Sequence, residues 1–151
     1  ERFVELARRV VSETDASVLL VCGPAEQADA AEFEEQADHR RIRSLARFRP
    51  AIGLTKACVQ KSAVVVSTDS GVRHFAAAFG IPSVALFGPM IQAASENYHA
   101  AEIRLQLELP CSPCGKRVCP LEHHRCMRDL SVSSVYEALT RQLTQESQSA
   151  A

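Results

Sequence analysis

The sequence predicts an α/β fold built on a Rossmann-like, doubly wound parallel sheet, and three observations lead there. Helical and strand patterns alternate along the chain. Most strand candidates are short continuous apolar runs, as expected of strands covered on both faces. The joints between elements carry Gly, Pro and small polar residues. With 151 residues, of which 46% are hydrophobic and 23% charged, the chain can bury a real core as one domain. No repeat or internal boundary stands out.

The elements can be read in order. Arg2 to Glu13 is an amphipathic helix with Phe3, Leu6, Ala7, Val10 and Val11 expected inward. Val18 to Cys22 is an apolar strand, after which Gly23-Pro24-Ala25-Glu26 turns into a helix through about Gln36. His39 to Arg49 is an arginine-rich connection, read as a solvated run; its sharper reading is a basic lip that attracts a phosphorylated or membrane-bound substrate. A short segment, Ala51 to Gly53, leads into a helix from about Leu54 to Lys61. Val64 to Val66 is the next strand, and Val72 to Phe79 is a helix with Phe75 and Phe79 one turn apart. Gly80-Ile81-Pro82 stops that helix, and Ser83 to Phe87 is the following strand. A polar loop, Met90 to Ala101, precedes an alternating strand, Ile103 to Leu109, and a cysteine-rich loop. The last helix starts near Ser131 with Val132, Val135, Leu139 and Leu143 on one face. It frays into a flexible tail over residues 146–151. Because a helix comes first, the sheet's first strand is expected upstream of Glu1.

Composition narrows the function. A net charge of −1 gives no general attraction to nucleic acid. No apolar run approaches the roughly 20 residues of a membrane-spanning helix, and the reading is cytoplasmic. The absence of a GxGxxG or P-loop motif disfavours a dehydrogenase or a P-loop NTPase.

The chemistry concentrates in Val64 to Pro89, VVVSTDSGVRHFAAAFGIPSVALFGP. Thr68, Asp69, Ser70, Gly71 and His74 lie between a buried strand and a helix of small residues. Asp69 or Ser70 would cap the helix, and Gly71 allows close approach of a ligand or a positive φ. The first-turn amides favour an anion, with His74 as an added donor one turn in. A well-made βαβ unit explains the same residues without any ligand. Glu26, just after a strand, can accept both hydroxyls of a ribose diol, or can simply be a helix-start acid facing the helix dipole.

Three segments together, LLVCGPAEQ, STDSGVRHFAAAFGIPSVALFGP and CSPCGKRVCPLEHHRCM, resemble the C-terminal half of glycosyltransferase family 9, the ADP-heptose:lipopolysaccharide heptosyltransferases. The resemblance runs from Glu1 to about Leu143. It implies the C-terminal half of a GT-B glycosyltransferase, with residues 1–145 as the nucleotide-sugar donor domain. The reaction implied is inverting transfer of heptose from ADP-heptose to the lipopolysaccharide inner core, with no metal or other cofactor. Asp69, Ser70, Gly71 and His74 would hold the donor pyrophosphate, Glu26 the ribose, and the region of Leu54 and Thr55 would lie near the adenine. No catalytic residue is assigned: the general base and the site for the lipid A-core acceptor belong to the family's N-terminal domain. The fragment alone is therefore expected to be inactive, with peripheral contact at the inner face of the cytoplasmic membrane. Met90 stands where the family commonly has threonine, which removes a hydroxyl near the donor.

Cys22 and Cys58 read as small core residues. Cys111, Cys114, Cys119 and Cys126 lie within 16 residues beside His123 and His124, in a pattern that lacks a second CxxC. They are either packed thiols capping the sheet or a structural zinc set. The rival to a transferase is accordingly a non-catalytic nucleotide- or zinc-binding module with a protein or nucleic-acid partner.

Overall fold

The computed structural model describes residues 1–149, which divide into two compact units, Glu1–Cys58 and Val59 to the chain end. The division falls within a helix, at residues that carry no boundary signal.

In the first unit, α1 (Arg2–Glu13), β1 (Val18–Leu20), α2 (Gln27–Ala37) and β2 (Ile42–Ser44) follow in order, and α3 (Ile52–Gln60) reaches the division. β1 and β2 pair in parallel, with Val18 opposite Ile42 and Leu20 opposite Ser44. Val4, Ala7, Val11, Phe33, Ala37 and Ile42 form the core, with Val18 and Leu20 packed against it. Val4, Ala7 and Val11 recur at helical spacing on one face of α1. Phe3 lies off that stripe and is 44% exposed, contrary to the inward position expected of it.

The basic run His39 to Arg49 differs from the solvated connection the sequence suggested, because β2 lies inside it. Ile42 and Ser44 point inward and Arg43 outward, a period-two pattern too short to stand out among arginines. Arg41 is structural. Its guanidinium donates to the carbonyls of Thr14 at 2.8 Å and Ala16 at 2.9 Å, and also to that of Val11. These oxygens sit in and just beyond the last turn of α1, where carbonyls lack helical partners and a cation is favoured.

The second unit contains β3 (Val65–Thr68), α4 (Gly71–Phe79), β4 (Ser83–Phe87), β5 (Glu102–Gln106), α5 (Arg125–Arg128) and α6 (Val132–Ser149). Its sheet has the order β3-β4-β5, parallel throughout, with Val65 opposite Ser83 and Ser83 opposite Glu102. Every residue of the central strand β4 is buried, which accounts for its unbroken run of non-charged residues. Val59, Val65 and Ala76 form one core cluster, with Val72, Phe75 and Ile81 against it. α4 ends as its sequence predicts. Gly80 takes φ 69°, its amide donates to Ala77, and the Ile81 amide donates to Ala76. β5 stops at Gln106, short of the Leu109 expected, and Leu109 instead bridges Ser112 in the loop. α6 buries Val135, Tyr136, Ala138 and Leu139, and Gln142 donates to the carbonyls of Ser83 and Ala101. The helix continues through Ser149, into the segment expected to be tail; Ala150 and Ala151 lie outside the described residues.

Gly88, directly after β4, has no room for a side chain, since a Cβ there would lie 2.6 Å from Cγ and Sδ of Met127. Gly88→Ala is expected to destabilise the protein by about 1–3 kcal/mol through overpacking. Urea unfolding would register this as a lower midpoint with an unchanged slope.

Candidate functional site

The candidate site is the N-terminal turn of α4 and its approach from β3, all within the second unit. Thr68 ends β3 and Gly71 begins α4, so Asp69 and Ser70 form the whole connection. Ser70 is the N-cap residue, with extended φ −141° and ψ 174°, and its side chain makes no capping hydrogen bond. No side chain therefore occupies the first-turn amides in the usual capping manner. Gly71 is exposed, and an added Cβ would meet nothing within 4 Å. Its value lies in that open space rather than in a positive φ, which it does not take. His74 is exposed one turn further on. Amides and an imidazole facing solvent at a positive helix end can receive an anion.

Asp69 has a different job from the one its sequence position suggested. Its carboxylate accepts from Arg73 Nη1 at 3.1 Å rather than capping the helix. Arg73 is fully buried. Its Nε and Nη2 donate to Oε2 and Oε1 of Glu102 at 2.8 and 2.9 Å, a bidentate pair, and Nη1 also donates to the Ser95 carbonyl at 2.7 Å. The Phe87 ring centroid lies 5.0 Å from the guanidinium carbon, within cation–π range. Arg104 extends the network, donating from Nε to Glu102 at 2.7 Å and from Nη1 to Glu96 at 2.6 Å, with a second, shorter contact to Glu96.

Burial pushes the Glu102 carboxyl upward, but its bonds from Arg73, Arg104 and Asn97 outweigh this and leave it below the ordinary range. Glu96 is held at about 2, chiefly by Arg104 and then by the Tyr98 amide. The sequence reading missed this network. Its available signal was an arginine four residues after Asp69 on a helix that is apolar apart from Arg73 and His74, together with an acidic residue opening β5.

Glu26 lies in the first unit, in a 3₁₀ turn at Pro24–Glu26. It is exposed, and one carboxylate oxygen accepts from the Gly23 amide at 2.7 Å. That is the helix-start role, and it leaves the second oxygen without a hydrogen bond in the same turn. Burial, and then the negative charge of Glu26, push the Cys22 thiol upward. Leu54 and Thr55 are half-buried on α3. Met90 is exposed, and its carbonyl accepts from Gln106 Nε2 at 2.9 Å.

A cleft of about 620 Å³ in the first unit is lined by Glu34, Arg40, Arg43, Ser44 and Arg47 among others. None of Glu26, Asp69, Ser70, Gly71 or His74 lines it. Glu34 is held below the ordinary carboxylate range by the Ser44 hydroxyl and amide, each donating at 2.8 Å. Arg43 and Arg47 stand 3.8 and 3.9 Å away. Glu34 is thus satisfied chiefly by Ser44, and the cleft's size does not by itself mark a site.

A parallel α/β unit with an open helix N-terminus after its strand is the architecture of proteins that bind anionic ligands at sheet edges. The family model "Glycosyltransferase family 9 (heptosyltransferase)" matches residues 1–125, and the chain belongs to that family. It is 34% identical over 134 residues to lipopolysaccharide heptosyltransferase 1 of Pseudomonas aeruginosa, covering 83% of this chain and 35% of that protein. It is 37% identical over 73 residues to lipooligosaccharide heptosyltransferase 2 of Campylobacter jejuni, covering 48% and 23%. Its fold matches E. coli ADP-heptose LPS heptosyltransferase II with TM-score 0.81 at 23% identity, over 97% of this chain and 41% of that one. A family 9 glycosyltransferase from Veillonella parvula matches with TM-score 0.76 at 21% identity, over 95% and 41%. The chain thus spans well under half the length of each of these proteins.

Two outcomes follow from the charge network. Arg73→Met leaves Glu102 buried without its main partner and is expected to cost about 3–5 kcal/mol, whereas Arg73→Met combined with Glu102→Leu should cost less than the single change. Chemical unfolding of both variants measures the difference. The second outcome concerns acid. Glu96 binds a proton less readily in the folded chain, so its contribution is complete above its ordinary value of 4.5 and is lost as pH falls toward about 2. Arg104→Met should flatten the dependence of the unfolding midpoint on pH across that window.

Proposed function

We propose that this chain is the donor-binding part of an inverting glycosyltransferase of GT-B type, one that transfers heptose from ADP-heptose to the lipopolysaccharide inner core. Membership of family 9 supports the class. The single observation that carries the donor role is the open N-terminal turn of α4, where Gly71 has free space before it and His74 is exposed.

In this reading the first-turn amides, the Ser70 hydroxyl and His74 receive the pyrophosphate. As the glycosidic bond breaks, negative charge grows on the departing diphosphate, and fixed amide dipoles with an imidazole donor stabilise it. Asp69, tied to Arg73, orients the turn rather than meeting the phosphates directly. Glu26, in the first unit, has a carboxylate oxygen beyond its bond to Gly23 that can accept a ribose diol. No residue of this chain is assigned as the base that deprotonates the acceptor hydroxyl. That task, and binding of the lipid A-core acceptor, are assigned to the remainder of the transferase, acting at the cytoplasmic face of the inner membrane. Among the described residues no helix is long and apolar enough to cross a membrane.

Calorimetric titration with ADP tests the reading. The wild-type chain should bind ADP and not a single-stranded RNA of equal charge. His74→Ala and Gly71→Ala should each weaken ADP binding by about tenfold, the loss of roughly 1.4 kcal/mol, while thermal unfolding stays near wild type because both positions are exposed. Unchanged ADP affinity in both variants would remove the pyrophosphate assignment, and preferential RNA binding would support a non-catalytic module instead.

A further inference from the structure

We propose that the loop following β5, from Gly115 to Leu121, is the surface by which the second unit rests on an anionic lipid bilayer. Its exposed residues combine charge and apolar bulk within a few positions. Lys116 and Arg117 are exposed and form no ion pair among the described residues. Val118 beside them is 78% exposed, and Leu121 is 57% exposed. A branched aliphatic side chain held that far into water gains little from the fold, and it gains from entering the headgroup and acyl boundary of a membrane.

The positive charge is local rather than general. Residues 111–129 carry Lys116, Arg117, Arg125 and Arg128 against Glu122 and Asp129, a surplus of two positive charges in a chain of net charge −1. Arg125 and Asp129 pair with each other at 2.7 Å, so the surplus rests with Lys116, Arg117 and Arg128. The basic run of the first unit differs, because Arg40, Arg43 and Arg47 line their cleft together with Glu34, Glu35 and Asp38. The kind of apolar group selects the occupant. Residues 111–129 contain no Phe, Tyr or Trp on which a nucleobase could stack. Aliphatic tips beside a lysine and an arginine suit phosphate headgroups over acyl chains, where each cation near the anionic leaflet adds attraction.

The loop is held in place from behind. The Gly115 amide donates to the Pro89 carbonyl at 2.7 Å, and Ser112 Oγ donates to the Gly88 carbonyl at 2.9 Å. Gly115 takes φ 67°, which turns the chain just before Lys116. Cys111, Cys119 and Cys126, all half-buried, line one small cavity with Leu121 and Pro89. Among the described residues no three Cys, His, Asp or Glu are grouped to hold a metal ion. Gly88 and Pro89 directly follow β4, as Asp69 and Ser70 directly follow β3. These strands are parallel, with Thr68 opposite Leu86, so the loop's anchor points and the open turn of α4 lie at one edge of one sheet. The bilayer contact stands on the patch itself; its bearing on a lipid-linked acceptor rests on the function proposed above. A loop resting on the bilayer would hold that sheet edge near the surface from which such an acceptor projects.

Vesicle sedimentation without nucleotide tests the contact. The chain should bind vesicles of one part phosphatidylglycerol to three of phosphatidylethanolamine, lose that binding as salt rises, and ignore vesicles of phosphatidylcholine alone. Lys116→Ala combined with Arg117→Ala should lower partitioning by about thirtyfold. Val118→Ser combined with Leu121→Ser should lower it as well, whereas Arg40→Ala with Arg49→Ala, an equal loss of charge in the first unit, should change it far less. Thermal unfolding of these variants should stay near wild type, since every altered side chain is exposed. No sedimentation with the anionic vesicles, sedimentation indifferent to both loop variants, or tighter binding to single-stranded RNA than to the vesicles would overturn the contact. The Lys116→Ala, Arg117→Ala variant should keep the wild-type ADP affinity, so failure of the lipid contact and failure of the donor site are read apart. A fall in ADP affinity as large as the fall in vesicle binding would reassign the pair to the nucleotide and overturn the lipid role.

Discussion

The bidentate pair between Arg73 and Glu102 is the constraint on which the second unit depends. A guanidinium and a carboxylate with no solvent contact are costly to desolvate, and they persist only when nearly every donor and acceptor is matched. Arg73 meets that condition by reaching Glu102, Asp69 and the Ser95 carbonyl from one planar fork, with the Phe87 ring nearby. These partners come from β5, the β3–α4 connection, the loop before β5 and the end of β4. One side chain thus fixes how far α4 can slide along the sheet. Lysine, a point charge without the fork, could not satisfy the same set.

That fixation has a consequence at the helix end. Because Asp69 is committed to Arg73, it does not compete for the amides that open α4, and Ser70 leaves them without a side-chain cap. The helix start is held from behind and open in front. Such a turn keeps its donors oriented in advance, so an anion placed there would require little reorganisation.

Much of this was legible from residue order. Ser83 to Phe87 is a strand with the bounds its apolar run suggested, and Gly80 closes α4 by the left-handed cap that Gly-Ile-Pro implies. The clustering of Asp69, Ser70, Gly71 and His74 at one helix end follows from their spacing after a strand. What was not legible depends on contacts remote in sequence. Arg73 and Glu102 are 29 residues apart, and nothing local to either states that the other will be buried with it. β2 was hidden because two inward residues, Ile42 and Ser44, carry too little periodicity to outweigh the arginines around them. Arg41 looked like part of a surface charge run, yet it serves the carbonyls at the end of α1, a role set by tertiary placement.

In the loop after β4, conformation and chemistry are set by different groups. Gly88 and Pro89 offer their carbonyls to Ser112, Gln106 and Gly115, and Met127 fills the space where a Gly88 side chain would go. Met90 follows with its carbonyl bound to Gln106 and its side chain exposed. Its backbone is therefore held by partners that do not depend on which side chain it carries. Where the family resemblance leads one to expect threonine, methionine changes the surface presented and removes a hydroxyl, but it has no hold on the path of the chain. A difference in ligand preference arising at Met90 would then be chemical in origin, because the scaffold that sets its position is built from its neighbours.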